Sequence, residues 1–150
     1  MRDSSKVSYK YPAGMDPKGK PYKILIVDDD EIPRRLVSQI VKSVSYEVCA
    51  EAMDGIQAIE LYKLHKPDIV TMDVQMPQMA GTVALAKIRE MDPDAVVVMM
   101  TSVVEKDTVV EILKNGAKGY IVKPVQRGAV LEKLKDVRRP FAGGRSGHTE

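Results

Sequence analysis

The chain has 150 residues, of which 44% are hydrophobic and 29% are charged, as in an ordinary globular protein. One cysteine excludes an intrachain disulfide, and the longest apolar run, residues 95–100, is far shorter than the roughly 20 residues of a membrane span. The N-terminus lacks the apolar core of a signal peptide, so we expect a cytoplasmic protein without a membrane span.

The charge is unevenly distributed along the chain. Residues 1–23 carry +4 and residues 127–150 carry +3, whereas residues 24–126 carry −5. A nucleic-acid-binding protein concentrates Lys and Arg on one face of its fold, and here the body has the opposite sign. Nucleic acid is therefore not an expected partner.

Residues 1–22 contain three prolines and two glycines, which interrupt any helical period. Val7, Tyr9 and Tyr11 alternate with polar residues and could form a short strand. The composition favours an N-terminal extension that is only loosely attached to the rest of the chain.

From Lys23 onward, short apolar runs alternate with segments of helical period, and we expect this domain to extend over residues 23–139. The predicted strand and helix pairs are 24–27 with 32–44, 46–52 with 55–65, 68–72 with 82–90, 95–101 with 106–115, and 120–122 with 128–137. Residues 140–150 hold three glycines and are predicted to form a flexible tail.

The predicted strands do not alternate apolar with polar residues, and residues 24–27 and 96–100 are continuously apolar. Such strands are buried on both faces, which is typical of a parallel sheet covered by helices on both sides. Pro33 suits the first turn of a helix, and Asn115-Gly116 suits a helix end. The sequence therefore predicts a doubly wound α/β fold with a five-stranded parallel sheet.

Polar residues follow four of the five strands, at the edge where open parallel sheets bind their ligands. These residues are Asp28, Asp29, Asp30, Glu31, Asp73, Thr101, Ser102 and Lys123. We expect Asp30 and Glu31 only to stabilise a helix N-terminus with their charge. The other acids, the hydroxyl groups and the ammonium group are expected to converge.

Carboxylates that lie close together repel one another unless a cation joins them. Oxygen ligands suit Mg²⁺, which commonly also binds a phosphate. A metal and Lys123 would share the charge of a transferring phosphoryl group, with the carboxylate of Asp73 as the nucleophile.

In these segments the chain resembles the response-regulator receiver domain of the CheY type. The matching pieces are residues 24–29, 68–73 with 76–81, 99–102 and 119–124, within about residues 22–138. The resemblance implies the sheet order 2-1-3-4-5. It also implies that the Lys123–Pro124 peptide bond is cis.

The resemblance assigns roles to individual residues. Asp73 corresponds to the phosphoacceptor, and Mg²⁺ is held by Asp28, Asp29, Asp73 and the backbone carbonyl of Gln75. Thr101 corresponds to the switch hydroxyl.

Four further residues take their roles from the same resemblance. Lys123 corresponds to the ionic partner of the phosphoryl group, and Tyr120 to the aromatic ring whose rotamer follows the switch. The backbones of Val74 and Ser102 are expected to contact the phosphoryl oxygens.

The sequence departs from the family pattern at Ala80, at Val125 and at the extra acid Asp30. Two further positions, Gln75 and Val103, correspond to side chains that help to place the attacking water. An apolar Val103 cannot orient water, so we expect slow self-dephosphorylation and a separate phosphatase.

The implied function is that of a signalling phosphoacceptor and not of a metabolic enzyme. A histidine kinase of the CheA type would phosphorylate Asp73, and the changed surface would bind another protein. Only 13 residues follow Val137, so we expect a monomeric single-domain regulator in chemotaxis that docks on the flagellar motor switch. An intermediate of another phosphorelay is the alternative.

Two other classes of protein are less compatible with the sequence. A haloacid-dehalogenase-type phosphatase would need a second acidic pair after Lys123, where only Glu132, Asp136 and Glu150 remain. A binding module that has lost phosphorylation would not need all the site positions to be filled.

Overall fold

A computed structural model describes residues 12–102 and 105–139 of the chain. The predicted strand near Tyr9, the tail from Pro140 onward and the side chain of Val103 lie outside these residues. Within the described ranges, no helix has both the length and the apolar character needed to cross a bilayer.

Strands and helices alternate through the described part of the chain, as the hydrophobic pattern predicts. The strands are β1 (Lys23–Val27), β2 (Glu47–Ala52), β3 (Ile69–Asp73), β4 (Val97–Thr101) and β5 (Gly119–Val122). The helices are α1 (Glu31–Lys42), α2 (Gly55–His65), α3 (Gly81–Met91), α4 (Lys106–Lys114) and α5 (Arg127–Arg139).

The five strands form one parallel sheet in the order β2-β1-β3-β4-β5, which confirms the doubly wound prediction. Every residue of β3 and β4 is buried, including the polar residues Thr71, Asp73 and Thr101. Alternate residues of β1 enter two separate cores. Ile24 and Ile26 pack with α1 and α5, whereas Leu25 and Val27 pack with α2 and α3.

The helix ends follow the local sequence. Asp30 caps α1 by accepting a hydrogen bond from the backbone N–H of Ile32, and Glu31 lies in the first turn. Both residues therefore stabilise a helix N-terminus, as predicted. Gly116 adopts a φ of 100° just beyond α4, a conformation that glycine adopts without strain.

The described part of the N-terminal extension is packed against the domain and is not loosely attached. The N–H of Gly14 donates to the carbonyl oxygen of Val44 at 2.7 Å, and Tyr22 is buried beside the ring of Tyr46. The guanidinium of Arg138 lies 5.5 Å from the centre of the Tyr22 ring. Composition alone could not show this packing, because the contacts are made with distant parts of the sequence.

Candidate functional site

Three carboxylates meet where β1 and β3 end. Val27 pairs with Met72, so the residues that follow them, Asp28 and Asp73, are neighbours at the same edge of the sheet. Asp28 and Asp73 are buried, and Asp29 is exposed. Each of the three offers an oxygen within 4.8 Å of the others, so the predicted convergence of these acids is observed.

The ammonium group of Lys123 reaches this cluster from the end of β5. Its Nζ lies 3.0 Å from Oδ2 of Asp28 and 3.4 Å from Oδ1 of Asp73. Burial alone would lower the pKa of Lys123, but its hydrogen bond to Asp28 and the charge of Asp73 outweigh this, and the pKa is raised. The lysine is thus held as a cation against two carboxylates. The cis peptide bond that the resemblance implies is present between Lys123 and Pro124.

The carboxyl group of Asp73 is buried among charged neighbours. Burial raises its pKa, Lys123 opposes this, and the charges of Asp28 and Asp29 raise it again. The charged form of Asp73 is therefore destabilised in the absence of a further cation. Such a group is a good candidate for chemistry, because it combines burial with specific charged neighbours.

Thr101 lies at the end of β4 and is buried. Met100 pairs with Asp73 across the sheet, so Thr101 follows directly beyond that pair. Its carbonyl oxygen accepts a hydrogen bond from the backbone N–H of Lys123 at 2.8 Å. The hydroxyl residue, the acid cluster and the lysine therefore occupy one edge of the sheet.

The other predicted site residues differ in their exposure and in their contacts. Gln75 and Ser102 are exposed in the loops that follow β3 and β4. The backbone N–H of Val74 donates to Met100 at 2.9 Å, so in this conformation its hydrogen bond is made within the protein. Tyr120 is half-buried and packs against the core on the α2–α4 side, opposite Met99.

The donor set fits a hard divalent cation. Carboxylate oxygens are preferred ligands of Mg²⁺, and a metal would relieve the repulsion among three acids that share one lysine. Among the described residues, Asp28, Asp29 and Asp73 form the group whose spacing could hold a metal.

Comparison with known proteins agrees with this geometry. The family model of the response regulator receiver domain matches residues 24–135. The chain belongs to the response regulator receiver family.

The most similar relatives of this receiver domain include chemotaxis proteins named CheY. The protein from Treponema pallidum is 42% identical over 138 residues, which cover 91% of this chain and 96% of that protein. The protein from Listeria monocytogenes is 47% identical over 113 residues, which cover 75% of this chain and 95% of that protein.

A solved structure shows the same fold. A chain of the CheX-CheY-BeF3-Mg complex from Borrelia burgdorferi is 37% identical and superposes with a TM-score of 0.83. The match covers 85% of this chain and 98% of that chain. The expected CheY-like topology and the CheY type of this domain are thereby confirmed.

Sequence reasoning gave no role to two residues that shape the site. Gly81 begins α3, and a Cβ atom there would lie 2.0 Å from the carbonyl oxygen of Asp73. Arg34 binds the carbonyl oxygen of Asp28. A cation in the first turn of a helix is unfavourable, because it opposes the helix dipole. The position of Arg34 in the sequence therefore indicates that its side chain has a role other than stabilising α1.

Proposed function

We propose that this receiver domain accepts a phosphoryl group on Asp73 from a histidine kinase. The observation that carries the proposal is the position of Asp73, with its Oδ1 3.4 Å from Lys123 and its carboxylate beside those of Asp28 and Asp29. An oxygen of Asp73 forms the new bond to phosphorus as the bond from phosphorus to the kinase imidazole breaks. The imidazole keeps the electron pair and takes up a proton.

The residues around Asp73 prepare it for this transfer. Lys123 places a cation where the phosphoryl oxygens gather charge, and Asp28 holds that lysine at 3.0 Å. Asp28, Asp29, Asp73 and the carbonyl of Gln75 would hold Mg²⁺, which neutralises charge on the phosphoryl oxygens when it is bound. The backbones of Val74 and Ser102 are proposed to donate to those oxygens, and for Val74 this requires its bond to Met100 to be shared or released.

The proposed output is a change in a protein-binding surface. Thr101 moves toward the phosphoryl group, and Tyr120 follows it, because the acyl phosphate favours one of two existing conformations. Relatives named for chemotaxis support a role in flagellar motor control, and a CheY chain in complex with CheX supports a further protein partner. The kinase is proposed to be of the CheA type, and a separate phosphatase is proposed to remove the phosphoryl group. The protein is proposed to be cytoplasmic and to act as a phosphoacceptor and not as a turnover enzyme.

Labelling with acetyl phosphate tests the acceptor. We expect one phosphoryl group per chain, detected by intact mass, which disappears with EDTA and in Asp73→Asn. The matched control is Asp30→Asn, because asparagine still caps α1 and the residue lies outside the acid cluster. Label that survives in Asp73→Asn but is lost in Asp30→Asn would contradict the assignment.

A second experiment separates motor control from another phosphorelay. Beryllofluoride-activated protein is titrated with the motor switch protein, with Asp73→Asn as the control. A motor-control role predicts tighter binding on activation. Onward transfer of phosphoryl to a histidine-containing protein, without binding to the switch protein, would instead favour the relay.

The phosphatase alternative has no support at the site. The acids that it would need after Lys123 include Glu132 and Asp136, and both lie exposed on α5. Steady release of phosphate from an ester substrate would be the observation that favours it.

A further inference from the structure

Arg34 joins three parts of the fold next to the acid cluster. It lies in the first turn of α1, and its Nη1 donates to the carbonyl oxygen of Asp28 at 3.0 Å. Its Nε donates to Oε1 of Glu51, on β2, also at 3.0 Å. The Arg34 side chain is mostly buried, and its bond to the Asp28 carbonyl oxygen is partly buried, whereas the bond to Glu51 lies at the surface.

The contact with Arg34 completes the restraint of Asp28. The N–H of Asp28 donates to Ala52, one carboxylate oxygen accepts from the N–H of Asp30, and the other accepts from Lys123. Because Arg34 binds the remaining carbonyl oxygen, every polar group of Asp28 has a partner within the protein. Asp28 is therefore held in one orientation although two other carboxylates repel it.

We propose that Arg34 is a positioning residue for the divalent cation site. It holds the main chain between β1 and α1 so that the carboxylates of Asp28 and Asp29 face Asp73. This inference rests on the proposed function, because the cation site belongs to it.

Simple electrostatics predicts the opposite effect, and this makes the proposal testable. Removal of a positive charge that lies against the main chain of Asp28 should strengthen the binding of Mg²⁺. Loss of a group that orients metal ligands should weaken it, commonly by 10–100-fold. The sign of the change in affinity therefore distinguishes orientation from charge.

The experiment measures the Kd for Mg²⁺ by calorimetry in four proteins: wild type, Arg34→Gln, Arg34→Lys and Arg35→Gln. Arg35→Gln is the matched control. Arg35 is the next residue in the chain and forms an exposed ion pair with Glu31, so this variant also removes one positive charge. Arg34→Lys keeps the charge but loses the planar fork that reaches two acceptors. Thermal unfolding of each protein without metal gives a parallel measure of stability.

We expect the Kd to rise about tenfold in Arg34→Gln and severalfold in Arg34→Lys, with Arg35→Gln within about twofold of wild type. If Arg34→Gln does not fold, Arg34→Lys against Arg35→Gln carries the comparison. An unchanged or lower Kd in both Arg34 variants, with or without a loss of stability, would overturn the positioning role. A wild-type protein that does not bind Mg²⁺ would overturn the cation site itself.

Discussion

Asp29→Asn should make the protein more stable without metal and less responsive to Mg²⁺. Asp29 is exposed, and its carboxylate lies within 4.8 Å of those of Asp28 and Asp73. At that separation each pair of charges repels by about 0.9 kcal/mol in water, and Asp29 belongs to two such pairs, so removal of its charge should stabilise the metal-free protein by about 1–2 kcal/mol.

The wild-type protein should gain more than the variant when Mg²⁺ is added. A cation at a hundred times its Kd stabilises the folded state by about 2.7 kcal/mol. For a domain of this size that corresponds to a rise in Tm of about 5–11 °C. The asparagine of the variant offers only a neutral oxygen, so the rise in Tm should be much smaller there, and the order of the two Tm values should reverse on addition of Mg²⁺.

The assay is thermal unfolding followed by circular dichroism in EDTA and in a series of Mg²⁺ concentrations. Glu90→Gln serves as the control, because it removes one exposed charge at the far end of α3. Equal Mg²⁺ shifts in wild type and Asp29→Asn, or a lower Tm of Asp29→Asn in EDTA, would refute the reasoning from crowded charges.

Three further predictions concern packing and pH. Gly14→Ala should lower the free energy of unfolding in urea by about 1–3 kcal/mol, because a Cβ there would lie 2.1 Å from the backbone nitrogen of Tyr46. The control is Gly128→Ala, whose Cβ would enter open space. Equal effects of the two substitutions would contradict a packed extension. Gly81→Ala should displace the backbone of Asp73 and weaken both Mg²⁺ binding in calorimetry and acetyl phosphate labelling, whereas wild-type values would show that α3 can shift at no cost. Burial raises the pKa of Tyr46 despite the opposing charge of Arg138. The neutral phenol of Tyr46 therefore contributes its full stability below the pKa of about 10 that a tyrosine has in the unfolded chain, and this contribution is lost as the pH rises above that value. The unfolding free energy of Tyr46→Phe should therefore fall less steeply than that of wild type above pH 10, and parallel pH profiles would argue against the shift.

Much of the fold and the acid cluster could be predicted from the sequence, because both depend on local pattern. Continuous apolar runs such as residues 95–100 identify strands buried on both faces, and parallel strands bring their carboxyl ends to one edge. The order of residues along the chain is therefore sufficient to predict that Asp28 and Asp73 lie close together.

Only the tertiary structure decided which side chains make contact within that frame. The bond from Lys123 to Asp28 spans 95 positions, and that from Arg34 to Glu51 crosses from α1 to β2. The packing of Gly14 against Val44 likewise depends on how the extension meets the turn after α1. Hydrophobic periodicity specifies which face of an element is buried, but it carries no information about the distance between polar atoms on different elements. That distance determines the restraint of Asp28 and, after burial, contributes to the pKa of Asp73.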